Sequence, residues 1–478
     1  MEALTQRSFK AFIWNASGQV SVQLASFAIG IVLARILSPD EYGAYIIALL
    51  FSGISNVFMD GGLATAIIRK QNVSDSDLST AFYFNIIVSL LLYLLFYFIA
   101  PNIATFFNQP DVVEIIRVVS LTIIITSLSQ VPTALLIKKL DYKSQSIFRI
   151  ISVIISGASG IICAYRGMGV WSLVVQNLLQ NAIWLILIWL NTQWRPRWYF
   201  SLKSFKELFS FGSKLMLSGI SYQIFSQSYN FIIGKLFPAA QLSYYNRAES
   251  YQRMSSLTIT NMVNSVVFPS LSEIQDDNER LRQGIRKIIR LSMFFTIPLM
   301  LGILLLAEPL IVLFITDKWL PVVPILQWLC VAGIFHPMQS IIMNIFNVKG
   351  RSDQYLYVVL IYNVAVIIAI FIGYQWSLMG IVISQAITSF AAFLLCGYFA
   401  GKKIGLTLSR QILDILPFFA LSLLMLGMGY MIGCVINDLL LKTIIIFISC
   451  SSFYLICSYV FKLEALQEIK GLVRGLRK

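Results

Sequence analysis

Fourteen stretches of this chain are long and apolar enough to be read as membrane-crossing helices, and no other feature constrains the fold so tightly. About 20 consecutive apolar residues are needed to span the hydrocarbon of a bilayer. The candidates fall at 12–34, 43–67, 79–100, 115–137, 147–165, 170–190, 213–236, 248–270, 289–314, 322–347, 355–373, 378–399, 411–433 and 440–461. The second and eighth are the weakest of the set. Several carry Gly, Asn, Gln or Ser, so they do not face lipid all round. Of the 478 residues, 58% are hydrophobic and 12% charged, more apolar surface than a soluble chain of this size could hide. The same figures exclude disorder, a coiled coil and a disulfide scaffold.

An even number of spans puts both termini on one side. With that side taken as the cytoplasm, the inner segments hold 28 Lys and Arg residues and the outer ends eight: Arg35, Arg117, Arg166, Lys235, Arg247, Arg253, Lys318 and Lys442. This is the positive-inside pattern, and losing one span would invert half the loops and erase it. The net charge of +14 therefore reflects membrane topology, and no nucleic-acid partner is expected. The polar start is followed by a full-length span with no evident cleavage site, so the N-terminus is expected to be retained. The six cysteines lie in apolar runs, without metal or redox spacing, as helix-packing residues would.

The two halves of the chain echo each other. I-V-L-A-R-I-L-S-P-D-E-Y-G-A-Y from Ile31 to Tyr45 parallels F-I-I-G-K-L-F-P-A-A-Q-L-S-Y-Y from Phe231 to Tyr245, aligning Arg35 with Lys235 and Tyr45 with Tyr245. D-V-V-E-I-I-R from Asp111 parallels P-V-V-P-I-L-Q from Pro321, Pro132 parallels Pro337, and Gln176 parallels Gln385. The offsets are 200, 210, 205 and 209 residues. Six helices separate the repeats, so both have the same orientation, as in a parallel repeat about an axis along the membrane normal. The expected fold is thus an all-α integral membrane protein of about fourteen transmembrane helices. Two six-helix lobes, 1–200 and 201–405, are related by a parallel pseudo-twofold repeat, and 406–478 adds two C-terminal helices and a basic cytoplasmic tail. Two such lobes suit alternating access.

Signals for catalysis are poor. The one histidine, His336, sits in an apolar span before Pro337, where a structural role is the simpler reading. There is no G-x-S-x-G, H-E-x-x-H or P-loop, and the outer loops are short. No cofactor or metal site is expected. The inner connections are basic and carry Trp194, Trp198 and Tyr199, as an interface-lying segment would.

Polar groups within spans are expensive and tend to face a cavity or one another. Asn15, Gln19 and Gln23 lie at i, i+4 and i+8 on span 1, and Gln223, Gln227 and Asn230 at i, i+4 and i+7 on span 7. These stripes on corresponding helices either line a wet cavity along which a sugar chain could slide or form interhelical hydrogen bonds. Arg35 and Lys235 end the first helix of each lobe, and Arg247 and Arg253 open span 8. Together they could form a cationic ring for a diphosphate. Snorkelling to headgroups is the alternative for Arg35 and Lys235, and an i, i+4 pair with Glu249 the alternative for Arg253. Arg247 has no such local partner. Asp60, before Gly61 and Gly62, could cap a restarted helix or, with Glu249, serve as an ion-coupling carboxylate.

Several of these runs resemble a known family. V-L-A-R-I-L-S-P-D-E-Y-G from Val32, D-G-G-L-A-T-A-I-I-R-K from Asp60, F-P-S-L-S-E-I-Q-D-D from Phe268 and K-W-L-P-V-V-P-I-L-Q-W-L from Lys318 look like the polysaccharide flippases of the multidrug/oligosaccharidyl-lipid/polysaccharide exporter superfamily, in the branch that includes the colanic-acid exporter. The resemblance covers nearly the whole chain. It implies two lobes forming a V-shaped cavity, a bacterial inner-membrane location, and transfer of an undecaprenyl-diphosphate-linked oligosaccharide from the inner to the outer leaflet. The partners it implies are that lipid-linked oligosaccharide, membrane lipids, and the polysaccharide polymerase and chain-length machinery. A multidrug cation antiporter of the same superfamily would need cavity carboxylates, whereas here cations outnumber acids at the outer span ends. A peptidoglycan-precursor flippase would share the fold and differ in its sugar.

Overall fold

The computed structural model describes residues 2–272, 274 and 276–468. The basic tail beyond residue 468, and Glu273 and Gln275 of the polar run, lie outside them. Among the described residues every regular element is helical: α1 (Glu2–Ile36), α2 (Pro39–Asp60), α3 (Leu63–Arg69), α4 (Asp75–Phe106), α5 (Val112–Val119), α6 (Leu121–Lys138), α7 (Tyr142–Tyr165), α8 (Trp171–Asn191), α9 (Leu202–Ser226), α10 (Ser228–Leu236), α11 (Ala239–Ser272), α12 (Asn278–Ile315), a 3-10 turn (Asp317–Trp319), α13 (Val322–Val348), α14 (Ser352–Tyr374), α15 (Ser377–Ile404), α16 (Leu408–Val435) and α17 (Leu439–Val460).

Each of the fourteen stretches lies on a helix or a helix pair, and among the described residues twelve helices are long and apolar enough to cross a membrane. The two stretches with no such helix among the described residues are 213–236 and 248–270. The first is divided between α9 and α10 at Gln227, and the second lies on the polar α11. The weak second stretch qualifies over Pro39–Asp60.

Local chemistry sets the helix boundaries. Ser38 and Glu41 form a capping box at the start of α2, with Pro39 at the first helical position. Ser74 and Asp77 repeat the device at α4. Gly61 and Gly62 adopt φ of 55° and 72°, a left-handed backbone that breaks α2 from α3. The Asp60 carboxylate accepts a hydrogen bond from the Ala64 amide at 3.1 Å, so it caps the restarted helix.

The chain packs as two units, Met1–Ser243 and Tyr244–Lys478. In the first, α7 lies against α1 and α8. Small residues permit the approach: a Cβ on Gly157 would meet Ile29, and one on Gly160 would meet Gln176. A second cluster joins α3, α4, α6 and α9 through Leu63, Ile67, Leu78, Phe82, Val131 and Leu208. The segment before α9 is extended and tied to α4. Arg197 pairs with Asp75 at 3.0 Å, the Arg197 and Ser201 amides donate to Ser79 and Thr80, and Trp198 stacks on Tyr83. Trp198 itself is 95% exposed, as an interfacial anchor would be.

In the second unit α13 packs between α12 and α15, and α14 lies on α15 through Gly373 and Gly380. These packings mirror α4–α6, α6–α8 and α7–α8 of the first unit, and Val112 and Val322 open corresponding helices. The helices α9 and α10, which the sequence repeat assigns to the second lobe, pack on α2, α3 and α4 of the first unit. The added helices α16 and α17 pack on α12. Asp414 of α16 accepts two hydrogen bonds of 2.7 Å from Arg286 and lies 3.4 Å from Arg290, which in turn pairs with Glu464. All six cysteines are free. Cys330, Cys396 and Cys450 are buried as packing residues, whereas Cys434 is exposed.

Candidate functional site

The first unit holds eight of the sequence-selected residues. On α1, Gln19 is exposed and donates to Asn15 at 3.1 Å, Gln23 is half-buried, and Arg35 is exposed at the helix end. On α9, Gln223 lies against Gly53 of α2, so closely that a Cβ there would meet its amide. The helix then stops, and Gln227 stands at the break with Asn230 one turn on. Asn230 is buried and donates to Gln227 at 3.0 Å. The stripe on span 7 therefore bends with the helix, and its inner-face amides pair with each other.

Lys235 sits near the end of α10. Its ammonium donates to the Phe106 carbonyl at 2.5 Å and lies 4.4 Å from the Phe106 ring centroid. It thus caps the C-terminal end of α4, where the helix dipole favours a cation. Arg35 and Lys235 are equivalent by repeat, and Lys235 is held at this helix end.

The second unit holds the other three. Glu249 and Arg253 pair at 3.4 Å, the i, i+4 bridge anticipated from their spacing. Arg247, which the sequence leaves without a local i, i+4 partner, has its guanidinium 5.2 Å from the ring centroid of the fully buried Trp319, which Tyr244 meets edge-on. A cation over an aromatic face at this distance is attracted by the ring's electrons. Three residues of one unit, one buried ring and one charge pair thus organise the start of α11.

The repeat also recurs at the level of single bonds. Tyr245 of α11 donates to Gln385 of α15 at 3.0 Å, and Tyr45 of α2 bonds Asn177 of α8. In both halves a tyrosine near the start of the second repeat helix is held by an amide on the last. Aligning Gln176 with Gln385 comes within one residue of this pairing.

Sequence reasoning missed other residues here. One of them lies beside His336 of α13, the histidine already noted in the sequence. Gln252 of α11 packs against Gly333, one turn before it. The glycine ahead of the lone histidine was the available signal. Among the described residues no group of three His, Cys, Asp or Glu side chains could hold a metal ion.

A multi-pass bundle of serial helical repeats, with basic and amide side chains carried by its less apolar helices, defines a membrane transporter. This chain belongs to the polysaccharide biosynthesis protein family, whose model matches residues 32–324. Among its relatives, the teichuronic acid biosynthesis protein TuaB of Bacillus subtilis (strain 168) is 24% identical over 428 residues, 88% of each chain. The lipopolysaccharide biosynthesis protein WzxC of Escherichia coli (strain K12) is 24% identical over 449 residues, 91% of this chain and 89% of that one. In fold, the chain is similar to the lipid II flippase MurJ in an inward closed conformation. The TM-score is 0.79 at 19% identity, covering 95% of this chain and all of that one.

Proposed function

We propose that this protein is a flippase of the bacterial inner membrane. It carries undecaprenyl-diphosphate-linked oligosaccharide repeat units from the inner to the outer leaflet for surface polysaccharide biosynthesis. It works by alternating access of the two repeats, 1–200 and 201–405, with 406–478 as an addition, and both termini lie in the cytoplasm. No covalent bond is broken, so the chain needs no catalytic constellation. The head group meets Arg35, Lys235, Arg247 and Arg253, and the amides Gln19, Gln23, Gln223, Gln227 and Asn230 offer hydrogen bonds to the passing sugars. Asp60 and Glu249 are the carboxylates available for ion coupling. The product is handed to polysaccharide polymerase and chain-length machinery.

One observation carries this reading. The match runs along nearly the full length of two proteins named for carbohydrate-polymer biosynthesis, on a fold shared with a flippase. The excess of cations over acids at the outer span ends agrees with an anionic cargo. The test is a strain lacking the gene, assayed in parallel for lipid-linked oligosaccharides and for surface polysaccharide. Accumulated repeat units with loss of polysaccharide are expected, and mass analysis identifies the sugar. Unchanged polysaccharide with altered sensitivity to cationic drugs overturns the reading in favour of an antiporter.

A further inference from the structure

The first unit contains a cavity of about 300 Å³ lined by Ala66, Arg69, Lys70, Glu207, Leu208 and Phe211. It lies where the end of α3 meets the start of α9, and contacts between helices hold its walls. The Lys138 ammonium donates to the carbonyls of Ile67, Lys70 and Gln71, so the end of α3 is capped from α6. Gly62 and Gly212 bring α3 and α9 together so closely that a Cβ on either would overlap the other's backbone. Ser76 and Ser204 hydrogen-bond at 3.3 Å, and Ala66 and Leu208 are buried.

The charges in this pocket are unequally satisfied. Lys70 sits between two carboxylates, 3.0 Å from Asp77 and 3.0 Å from Glu207. Burial alone would lower its ammonium below the ordinary lysine value, but the two carboxylates outweigh burial and raise it. Arg69 differs. It is exposed, its guanidinium lies over the Phe211 ring, 4.3 Å from the centroid, and it makes no ion pair among the described residues. A guanidinium held over a ring and free of a carboxylate has N–H donors to offer an oxyanion. Glu207, 58% exposed, is the carboxylate an incoming anion could displace. The volume lies at the small end for ligand sites, right for a phosphate group and too small for a sugar chain.

The geometry points to a phosphate-binding pocket at Arg69 and Lys70, with Glu207 as its resident counter-ion. Its ligand is the phosphate or diphosphate of a lipid headgroup or of a free anion. The pocket rests on the flippase reading only for its cargo. If the charge distribution sets orientation, Arg69 and Lys70 face the inner leaflet, where a lipid-linked diphosphate would arrive. A phosphate that draws Lys70 from Glu207 would also loosen a bond between α9 and the α3–α4 corner.

The test uses the full chain in nanodiscs of zwitterionic lipid, with inorganic pyrophosphate as probe and binding read by thermophoresis. Arg69→Gln is expected to weaken binding at least about tenfold. Glu207→Gln is expected to strengthen it several-fold, because an internal competitor is removed. Lys442→Gln is expected to leave it unchanged. The Glu207 variant reads a gain, so misfolding of the Arg69 variant cannot imitate the result. Wild-type affinity in both Arg69→Gln and Glu207→Gln overturns the pocket. Farnesyl diphosphate and phosphatidylglycerol nanodiscs then separate the sources. Tighter binding of the former assigns a lipid diphosphate, competition by the latter a bulk lipid headgroup, and binding of pyrophosphate alone a free anion; each keeps the phosphate chemistry. Intact polysaccharide export in Arg69→Gln, with pyrophosphate binding lost, separates the pocket from transport and withdraws its role there. Intact polysaccharide in the gene deletion withdraws the flippase reading instead.

Discussion

The bridge between α12 and α16 gives the sharpest quantitative expectation. Asp414 is 8% exposed and holds Arg286 through two 2.7 Å bonds, with Arg290 at 3.4 Å; the arginines are 32% and 16% exposed. Removing Asp414 leaves two guanidiniums facing each other, Arg290 retaining only Glu464. Breaking a buried pair costs about 3–5 kcal/mol, and partial hydration of Arg286 moves the expectation for Asp414→Ala to about 3 kcal/mol. Arg286→Ala is milder, about 1–2 kcal/mol, because Asp414 keeps Arg290. At about 2–4 °C per kcal/mol for units of this size, Asp414→Ala should lower the melting temperature by roughly 6–12 °C. The assay is thermal unfolding in detergent followed by tryptophan fluorescence, with the double variant completing the cycle. A coupling above about 0.5 kcal/mol is expected. Equal effects of the two single variants, or a coupling near zero, would refute the argument that one carboxylate organises both arginines.

Three further outcomes follow from local geometry. At matched expression, Arg247→Ala and Arg253→Ala should lower transport of lipid-linked repeat units more than Lys442→Ala, and equal activity in all three removes the cationic-site proposal. Gly62→Ala should destabilise by more than about 2 kcal/mol, because φ of 72° strains any L side chain and the backbone of Gly212 cannot yield. Gly302→Ala, where an added Cβ meets nothing within 4 Å, is the control and should melt no lower than wild type. For Lys70→Met, the stability lost relative to wild type should stay constant from about pH 6 to pH 9. A lysine raised above its ordinary value contributes fully below about pH 10.4, and its contribution fades only as pH climbs past the raised value. A gap that closes near neutral pH would contradict the two-carboxylate setting of Lys70.

What the sequence makes legible is what acts within about one helical turn. The Asp60 cap after a glycine break and the Glu249–Arg253 bridge join residues four apart, and both are present. Partners on other helices are not legible. Lys235 reaches Phe106, 129 residues away, and Arg286 reaches Asp414 across 128. Nothing in hydropathy or periodicity encodes which helices become neighbours, so the contact of Arg247 with Trp319 is not legible in the sequence.

The count of spans shows the same limit in a more useful way. A membrane helix can carry low hydropathy only where protein or water, not lipid, faces it. The helices α9, α10 and α11, poorer in apolar residues than their neighbours, carry Gln223, Gln227, Asn230, Lys235, Arg247, Glu249 and Arg253. These are seven of the eleven residues singled out for chemistry. Low hydropathy and the gathering of candidate site residues are therefore one property of these helices: the polar groups that could meet a charged, sugar-bearing cargo are the ones that lower the hydropathy average.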